Sequence, residues 1–202
     1  GSNFEHPSMI RYHKLEMTRD HGFFLMDYFR APSLKTQIAA NLPETQSRLK
    51  KIVEAMCQAF VHMNEKGWLH RDIKPHNLFI DRAGRVRVGD FGLARGDVDA
   101  VNDAGDGPTA NNARLALGSQ TATGTLVGTP AYMAPEQRTG HVVDARADQF
   151  ALALSLVEGL TGVRPDAGVS AAALQGLARG EASSTPTAVW AVLARSLAIA
   201  AT

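Results

Sequence analysis

The run His70-Arg71-Asp72-Ile73-Lys74-Pro75-His76-Asn77 sets a carboxylate, an ammonium and a carboxamide close together in one short segment. Phosphoryl transfer asks little covalent chemistry of a protein. It asks that an attacking hydroxyl be oriented, the phosphate charge neutralised and a divalent cation held. Asp72 can accept a hydroxyl proton and Lys74 can lie against a transferring phosphate. Asn77, five residues after Asp72, can reach a metal ion. Asp90-Phe91-Gly92 adds a second carboxylate behind a short apolar stretch, where it can bind a Mg²⁺ that bridges phosphates, and Gly92 lets the chain turn away. The third piece is Gly128-Thr129-Pro130-Ala131-Tyr132-Met133-Ala134-Pro135-Glu136. Asp-Phe-Gly by itself reads equally well as a structural turn; the order of the three pieces carries the argument.

The elements around these pieces fit that use. Residues 9–15 and 22–28 are short apolar and aromatic stretches split by the polar turn Thr18-Arg19-Asp20-His21, the pattern of two antiparallel strands. Residues 33–41 suggest a short helix. Leu49, Ile52, Val53, Met56, Phe60 and Met63 recur at helical steps and predict an amphipathic helix over 43–66, with Pro43 in its first turn and Gly67 at its end. Residues 78–80 and 86–88 flank Asp81-Arg82-Ala83-Gly84 as a hairpin. Residues 96–123 are rich in Gly, Ala, Asp, Asn and Thr and predict a long loop. Residues 144–160 are apolar around most of a helical circumference and predict a helix buried on nearly all sides. Two more helices are expected over 170–178 and 187–201.

Composition narrows the function classes. With 202 residues, 45% hydrophobic and 20% charged, the chain can build one sizeable core. Lys and Arg total 21 against 20 Asp and Glu, so no bulk charge draws it to nucleic acid or an anionic membrane. No apolar run is long enough to span a bilayer. The single Cys57 stands among apolar residues at helical spacing, which predicts a buried thiol and, with no internal disulfide available, a reducing cytoplasmic setting. His6, His13, His21 and His62 are scattered without ligand spacing and read as surface or packing residues, while Trp68 and Trp190 read as core. Ala rises from 5 in residues 1–80 to 26 in 81–202, and all 6 Lys precede residue 75 while 10 Arg follow it. An Ala-rich helical region accounts for this; the sharper reading joins two sequences of different genomic bias between the small strands, so that residues 1–80 and 81–202 come from different genes.

The catalytic-loop run, Asp-Phe-Gly and Ala-Pro-Glu, in this order and in matching strand and loop context, resemble the protein kinase family from Phe4 to the last residues. Lys74-Pro75 and Gly128-Thr129-Pro130 resemble the serine/threonine branch. Ala134-Pro135-Glu136-Gln137 and Asp148-Gln149-Phe150 through Gly162 and Pro165 are similar to bacterial members. The resemblance implies an α+β, kinase-like bilobal fold: a partial small sheet lobe over residues 1–28, and a mostly helical large lobe over 29–202 that lacks the final helix. It implies transfer of the ATP γ-phosphate to protein Ser or Thr hydroxyls, with ATP and Mg²⁺ between the lobes.

Carried over residue by residue, the resemblance makes Asp72, Lys74 and Asn77 catalytic and gives Asn77 and Asp90 the metal. Met26 becomes the gatekeeper behind the adenine pocket, Asp27 and Phe29 offer backbone hydrogen bonds to adenine, and Leu78 forms the pocket floor. Met26 and Leu78 are then core residues as well. Thr129 bonds to the catalytic Asp and Lys at the substrate-docking segment. Arg71 pairs with a phosphate on Thr121 or Thr123 in the activation segment. His70, Phe91, Gly92 and Glu136 are structural, and Asp148 braces the catalytic loop, with a helix-capping Asp as the competing reading.

Two departures qualify the resemblance. The sequence opens at a segment resembling the one after the family's regulatory helix, so the Gly-rich loop and strand Lys are missing, and the 202 residues alone are expected to transfer little phosphate. The Arg that pairs with Glu136 would follow Thr202, leaving Glu136 without its usual partner. Two rivals remain: a non-catalytic kinase-like binding module, and a small-molecule phosphotransferase of the aminoglycoside-kinase type, against which residues 128–136 speak.

Overall fold

In the computed structural model, residues 5–18, 21–90, 95–96, 130–139 and 141–164 are described. β1 (Tyr12–Met17) pairs antiparallel with β2 (Gly22–Met26). Then come α1 (Leu34–Ala40), α2 (Leu42–Glu65), β3 (Trp68–Leu69), β4 (Leu78–Ile80), β5 (Val86–Val88) and β6 (Arg95–Gly96). A 3₁₀ turn (Pro130–Tyr132), α3 (Pro135–Thr139) and α4 (Ala145–Thr161) complete the described order. β3 pairs with β6 and β4 with β5, so small antiparallel pairs and a largely helical remainder give the expected α+β class.

The helices begin where local chemistry starts them. Ser33 caps α1 by accepting from the Thr36 N–H at 3.2 Å. Asn41 ends α1 and caps α2, accepting from the Glu44 N–H at 3.2 Å, with Pro43 in the first turn as predicted. The helical stripe of α2 buries Leu49, Ile52, Met56, Ala59 and Met63, and the chain turns out at Gly67 with φ 66°. Cys57 corrects the sequence reading: its thiol is exposed. One step of about 100° beyond Met56 carries residue 57 off the buried stripe. Trp68 is partly buried against the core, and Trp190 lies outside the described residues.

α4 is buried around most of its circumference, from Ala147 to Gly159, and packs on α2. Its N-cap is Asp144, whose carboxylate accepts from the Arg146 N–H at 2.8 Å, so Asp148 is free of that duty. A Cβ on Gly159 would stand 2.8 Å from Leu49 Cδ2 in the α2–α4 seam. Gly159→Val is therefore expected to lower stability by about 1–3 kcal/mol in urea denaturation.

The hairpin of β4 and β5 buries Leu78, Ile80, Val86 and Val88 on one face and turns through Gly84 at φ 79°. The Asp81 carboxylate closes the turn, accepting from the Arg85 N–H at 2.9 Å and Nε at 2.7 Å. The first expected strand starts late, at Tyr12, because residues 8–10 bond elsewhere: Ile10 N–H donates to Val88 O at 2.8 Å and Val88 N–H to Ser8 O at 2.9 Å. The expected loop over 96–123 begins inside β6, and its remainder, like the helices expected over 170–178 and 187–201, lies outside the described residues. No described helix is long and apolar enough to cross a membrane.

Candidate active site

β3 leads into residues 70–77, and this loop returns into β4, so its two ends are fixed by strands. Lys74 Nζ donates to Asp72 Oδ2 at 2.6 Å. Asn77 Nδ2 donates to the Asp72 carbonyl at 2.9 Å and reaches Asp72 Oδ2 at 3.3 Å. The three residues predicted to carry phosphoryl transfer thus form one cluster around a single carboxylate.

Asp148, on the first turn of α4 and buried, accepts from the His70 N–H and the Arg71 N–H, each at 2.7 Å. The sequence reading allowed a brace or a helix cap; the geometry places this side chain on the loop, with Asp144 at the cap. Burial pushes the Asp148 carboxyl up, while the His70 ring and the two N–H donors pull it in the opposite direction.

His70 is completely buried, and its Nε2–H donates to Gly89 O at 3.1 Å while Nδ1 accepts the Asp72 N–H at 3.3 Å. That pairing requires a neutral ring protonated at Nε2. Burial, the dominant cause, holds the imidazole below its ordinary 6.5 against the pull of Asp148 and the Gly89 carbonyl. In the unfolded chain His70 takes up a proton near its ordinary value, whereas the folded site resists it. Stability from this group is therefore complete above about pH 6.5 and is lost as the pH falls below it. The melting temperature of wild type should drop between pH 7.5 and 5.5 more steeply than that of His70→Gln; equal slopes would contradict this.

Gly89 joins the loop to Asp90: its N–H donates to Asn77 O at 3.0 Å, and its carbonyl accepts the hydrogen bond from His70 Nε2. A Cβ there would lie 2.7 Å from Ile10 Cδ1. Asp90 follows at the end of β5, exposed, with φ 62°; Arg71 at φ 65° is the other described non-glycine residue in the left-handed region. Phe91, Gly92, Thr121, Thr123 and Thr129 lie outside the described residues.

Of the residues expected to line an adenine pocket, Leu78 is buried at 1% exposure, but Met26 is 47% exposed, which corrects the expectation that it is packed as core. β2 belongs to a two-stranded ribbon, and every residue of the strand is exposed. The Asp27 N–H is committed to Arg11 O at 2.8 Å and the Phe29 carbonyl accepts from Ala31 N–H at 2.9 Å. The Asp27 carboxylate meets His13 Nε2 at 2.7 Å, and the Arg87 guanidinium stacks over the Phe29 ring at 4.9 Å.

The donor set suits a magnesium ion. Asn77 spends its Nδ2 on Asp72, which leaves a hard amide oxygen, and Asp90 is an exposed carboxylate on a segment tied to Asn77 through Gly89. Mg²⁺ is commonly held by one or two protein oxygens with substrate phosphates filling other positions. No group of three His, Cys, Asp or Glu among the described residues forms a self-sufficient metal cage. His6 and His62, scattered in sequence, stack at 5.3 Å between ring centroids.

Several residues at the site drew no role from sequence. Gln137 Nε2 donates to Arg71 O at 2.9 Å and its Oε1 accepts from the Ala134 N–H at 3.0 Å. Glu158, fully buried in α4, takes hydrogen bonds from Tyr132 Oη and Lys35 Nζ, linking the segment before α3 to α1. Burial, with Glu158 beside it, pushes the Tyr132 phenol far above its ordinary value. A charged residue inside the apolar run of α4 was the available signal for Glu158. Glu136 keeps one buried carboxylate oxygen without a hydrogen-bond partner among the described residues.

Comparison with known proteins gives a consistent picture. The protein kinase domain family model matches residues 2–175. The chain is 33% identical over 176 residues to the serine/threonine-protein kinase PrkC of Bacillus subtilis, covering 86% of this chain and 24% of that protein. It is 34% identical over 148 residues to the serine/threonine-protein kinase PknB of Mycobacterium tuberculosis, covering 73% and 21%. PknB of Mycolicibacterium smegmatis is 34% identical over 152 residues, covering 75% and 22%. The chain thus spans about a quarter or less of the length of these relatives.

Proposed function

The chain belongs to the protein kinase domain family, and from that premise we propose that the protein carrying it transfers the γ-phosphate of ATP to Ser or Thr hydroxyls of protein substrates. One observation carries the reading: the Asp72 carboxylate is held by Lys74 at 2.6 Å and Asn77 at 3.3 Å on a loop whose backbone is anchored to Asp148. Relatives named as serine/threonine-protein kinases support the acceptor class.

In this mechanism Asp72 Oδ accepts the proton of the acceptor hydroxyl and aims its oxygen at phosphorus. Lys74, already beside Asp72, offers its ammonium to the charge on the equatorial phosphate oxygens. Asn77 fixes the Asp72 main chain through Nδ2, and its Oδ1 together with the Asp90 carboxylate would hold Mg²⁺. Bound Mg²⁺ would neutralise the phosphate charge. Adenine packs on Leu78 and hydrogen-bonds to the backbone groups that the internal bonds to Arg11 and Ala31 leave, the Asp27 carbonyl and the Phe29 N–H. Arg71 pairs with a phosphate on Thr121 or Thr123 of the activation segment. The single free Cys57 fits a reducing, cytoplasmic setting.

A non-catalytic binding module draws no support, since Asp72, Lys74, Asn77 and Asp90 are all present. The discriminating experiment supplies γ-labelled ATP and Mg²⁺ to the full-length protein with a general protein acceptor, and in parallel with an aminoglycoside. Label on protein alone is expected. Label on the aminoglycoside alone would favour the small-molecule enzyme, and nucleotide binding without any transfer would favour the binding module.

A further inference from the structure

The peptide group between Arg71 and Asp72 is gripped from both sides. Its N–H, on Asp72, donates to His70 Nδ1 at 3.3 Å, and its carbonyl, on Arg71, accepts from Gln137 Nε2 at 2.9 Å. A planar peptide held at both polar ends has a fixed orientation, and that orientation sets where the Asp72 side chain leaves the backbone. The grip opposes strain: Arg71 sits at φ 65°, a conformation that a side chain larger than Gly or Asn adopts only when the surroundings impose it. The Arg71 N–H donates to Asp148 at 2.7 Å, and Gln137 holds the carbonyl of the same residue.

The other end of the Gln137 side chain is equally committed. Oε1 accepts from the Ala134 N–H at 3.0 Å, immediately before α3. A carboxamide donates from its nitrogen and accepts at its oxygen at once. Gln137 therefore joins the end of the activation segment to the catalytic loop by one donor bond and one acceptor bond.

We infer that Gln137 is a positioning residue for phosphoryl transfer: it locks the left-handed Arg71 backbone to the segment entering α3, and through that peptide it aims Asp72. The inference rests on the kinase reading above and adds to it a residue whose side chain touches neither phosphate nor acceptor. It also gives the segment at Ala134 a route to the catalytic loop, since displacing Ala134 displaces the amide that holds Arg71.

The substitutions separate this role from simple packing. Gln137→Glu keeps an oxygen for the Ala134 N–H but faces the Arg71 carbonyl with a group that cannot donate at neutral pH. Gln137→Met keeps the length and loses both bonds. In the full-length protein, kcat is expected to fall on the order of 10- to 100-fold in both variants, with KM for ATP within about twofold of wild type. Gln137→Glu should melt close to wild type, while hydrogen exchange at the backbone of residues 70–73 accelerates. A wild-type kcat in Gln137→Glu, or unchanged exchange at residues 70–73, would overturn the inference. Loss of kcat that only tracks a lowered melting temperature in both variants would also overturn it, leaving Gln137 a structural residue. Wild-type protein that transfers no phosphate would defeat the kinase reading itself, and this inference with it.

Discussion

Asp72→Asn is expected to reduce phosphate transfer by about 10²- to 10⁴-fold, the worth of a positioned general base, while ATP affinity stays within about twofold. The substitution is nearly isosteric, so the Asn77 bond to the main-chain carbonyl of residue 72, 2.9 Å in the native site, survives. What disappears is the charge that pairs with Lys74 at 2.6 Å and that the proposed mechanism uses to receive the hydroxyl proton. Neither duty involves holding nucleotide. Rapid-quench transfer and equilibrium nucleotide binding on the same preparation check this, and an ATP affinity that collapsed with the rate would show the role of Asp72 to be wrong.

Asp90→Asn should do the reverse in emphasis: Mg-ATP affinity falls about tenfold to a hundredfold, the equivalent of one charge-assisted contact of roughly 1.5–3 kcal/mol. Asp90 sits at φ 62° at the end of β5, and Asn tolerates that conformation well, so the backbone is not expected to move. The exposed carboxylate is the part removed, and with it a hard oxygen donor for Mg²⁺. Titration of nucleotide with and without Mg²⁺ separates the two terms. Metal-free affinity should be unchanged, and equal losses in both titrations would mean that Asp90 does not hold the ion.

Much of this was legible because it is local. The stripe of α2, the all-round burial of α4 and the hairpin at residues 78–88 follow from periodicity and turn chemistry that lie within a few residues of each other. The clustering of Asp72, Lys74 and Asn77 was legible for the same reason: a short loop between two strands can bring together only what it contains. What the sequence hid depends on partners far along the chain. Gln137 meets Arg71 across 66 positions, and Glu158 meets Lys35 across 123. No local pattern encodes either meeting. Asp148 was ambiguous until Asp144 was seen to cap α4, since either carboxylate stands at the right end of the helix. Met26 and Cys57 misled through pattern: an apolar type in a strand or helix says that burial is favourable, not that another element covers that face. The late start of β1 has the same origin, because residues 8–10 are captured by Val88 rather than by the neighbouring strand.

The central claim is tested most directly by single-turnover transfer of label from γ-labelled ATP, with the full-length protein and matched peptides that differ only at the acceptor: Ser, Thr, Tyr or Ala. The account predicts acid-stable label recovered as phosphoserine and phosphothreonine, a Tyr peptide poorly labelled, and an Ala peptide at background. Labelling that ignored the acceptor residue, or that released only free phosphate with every peptide, would contradict it.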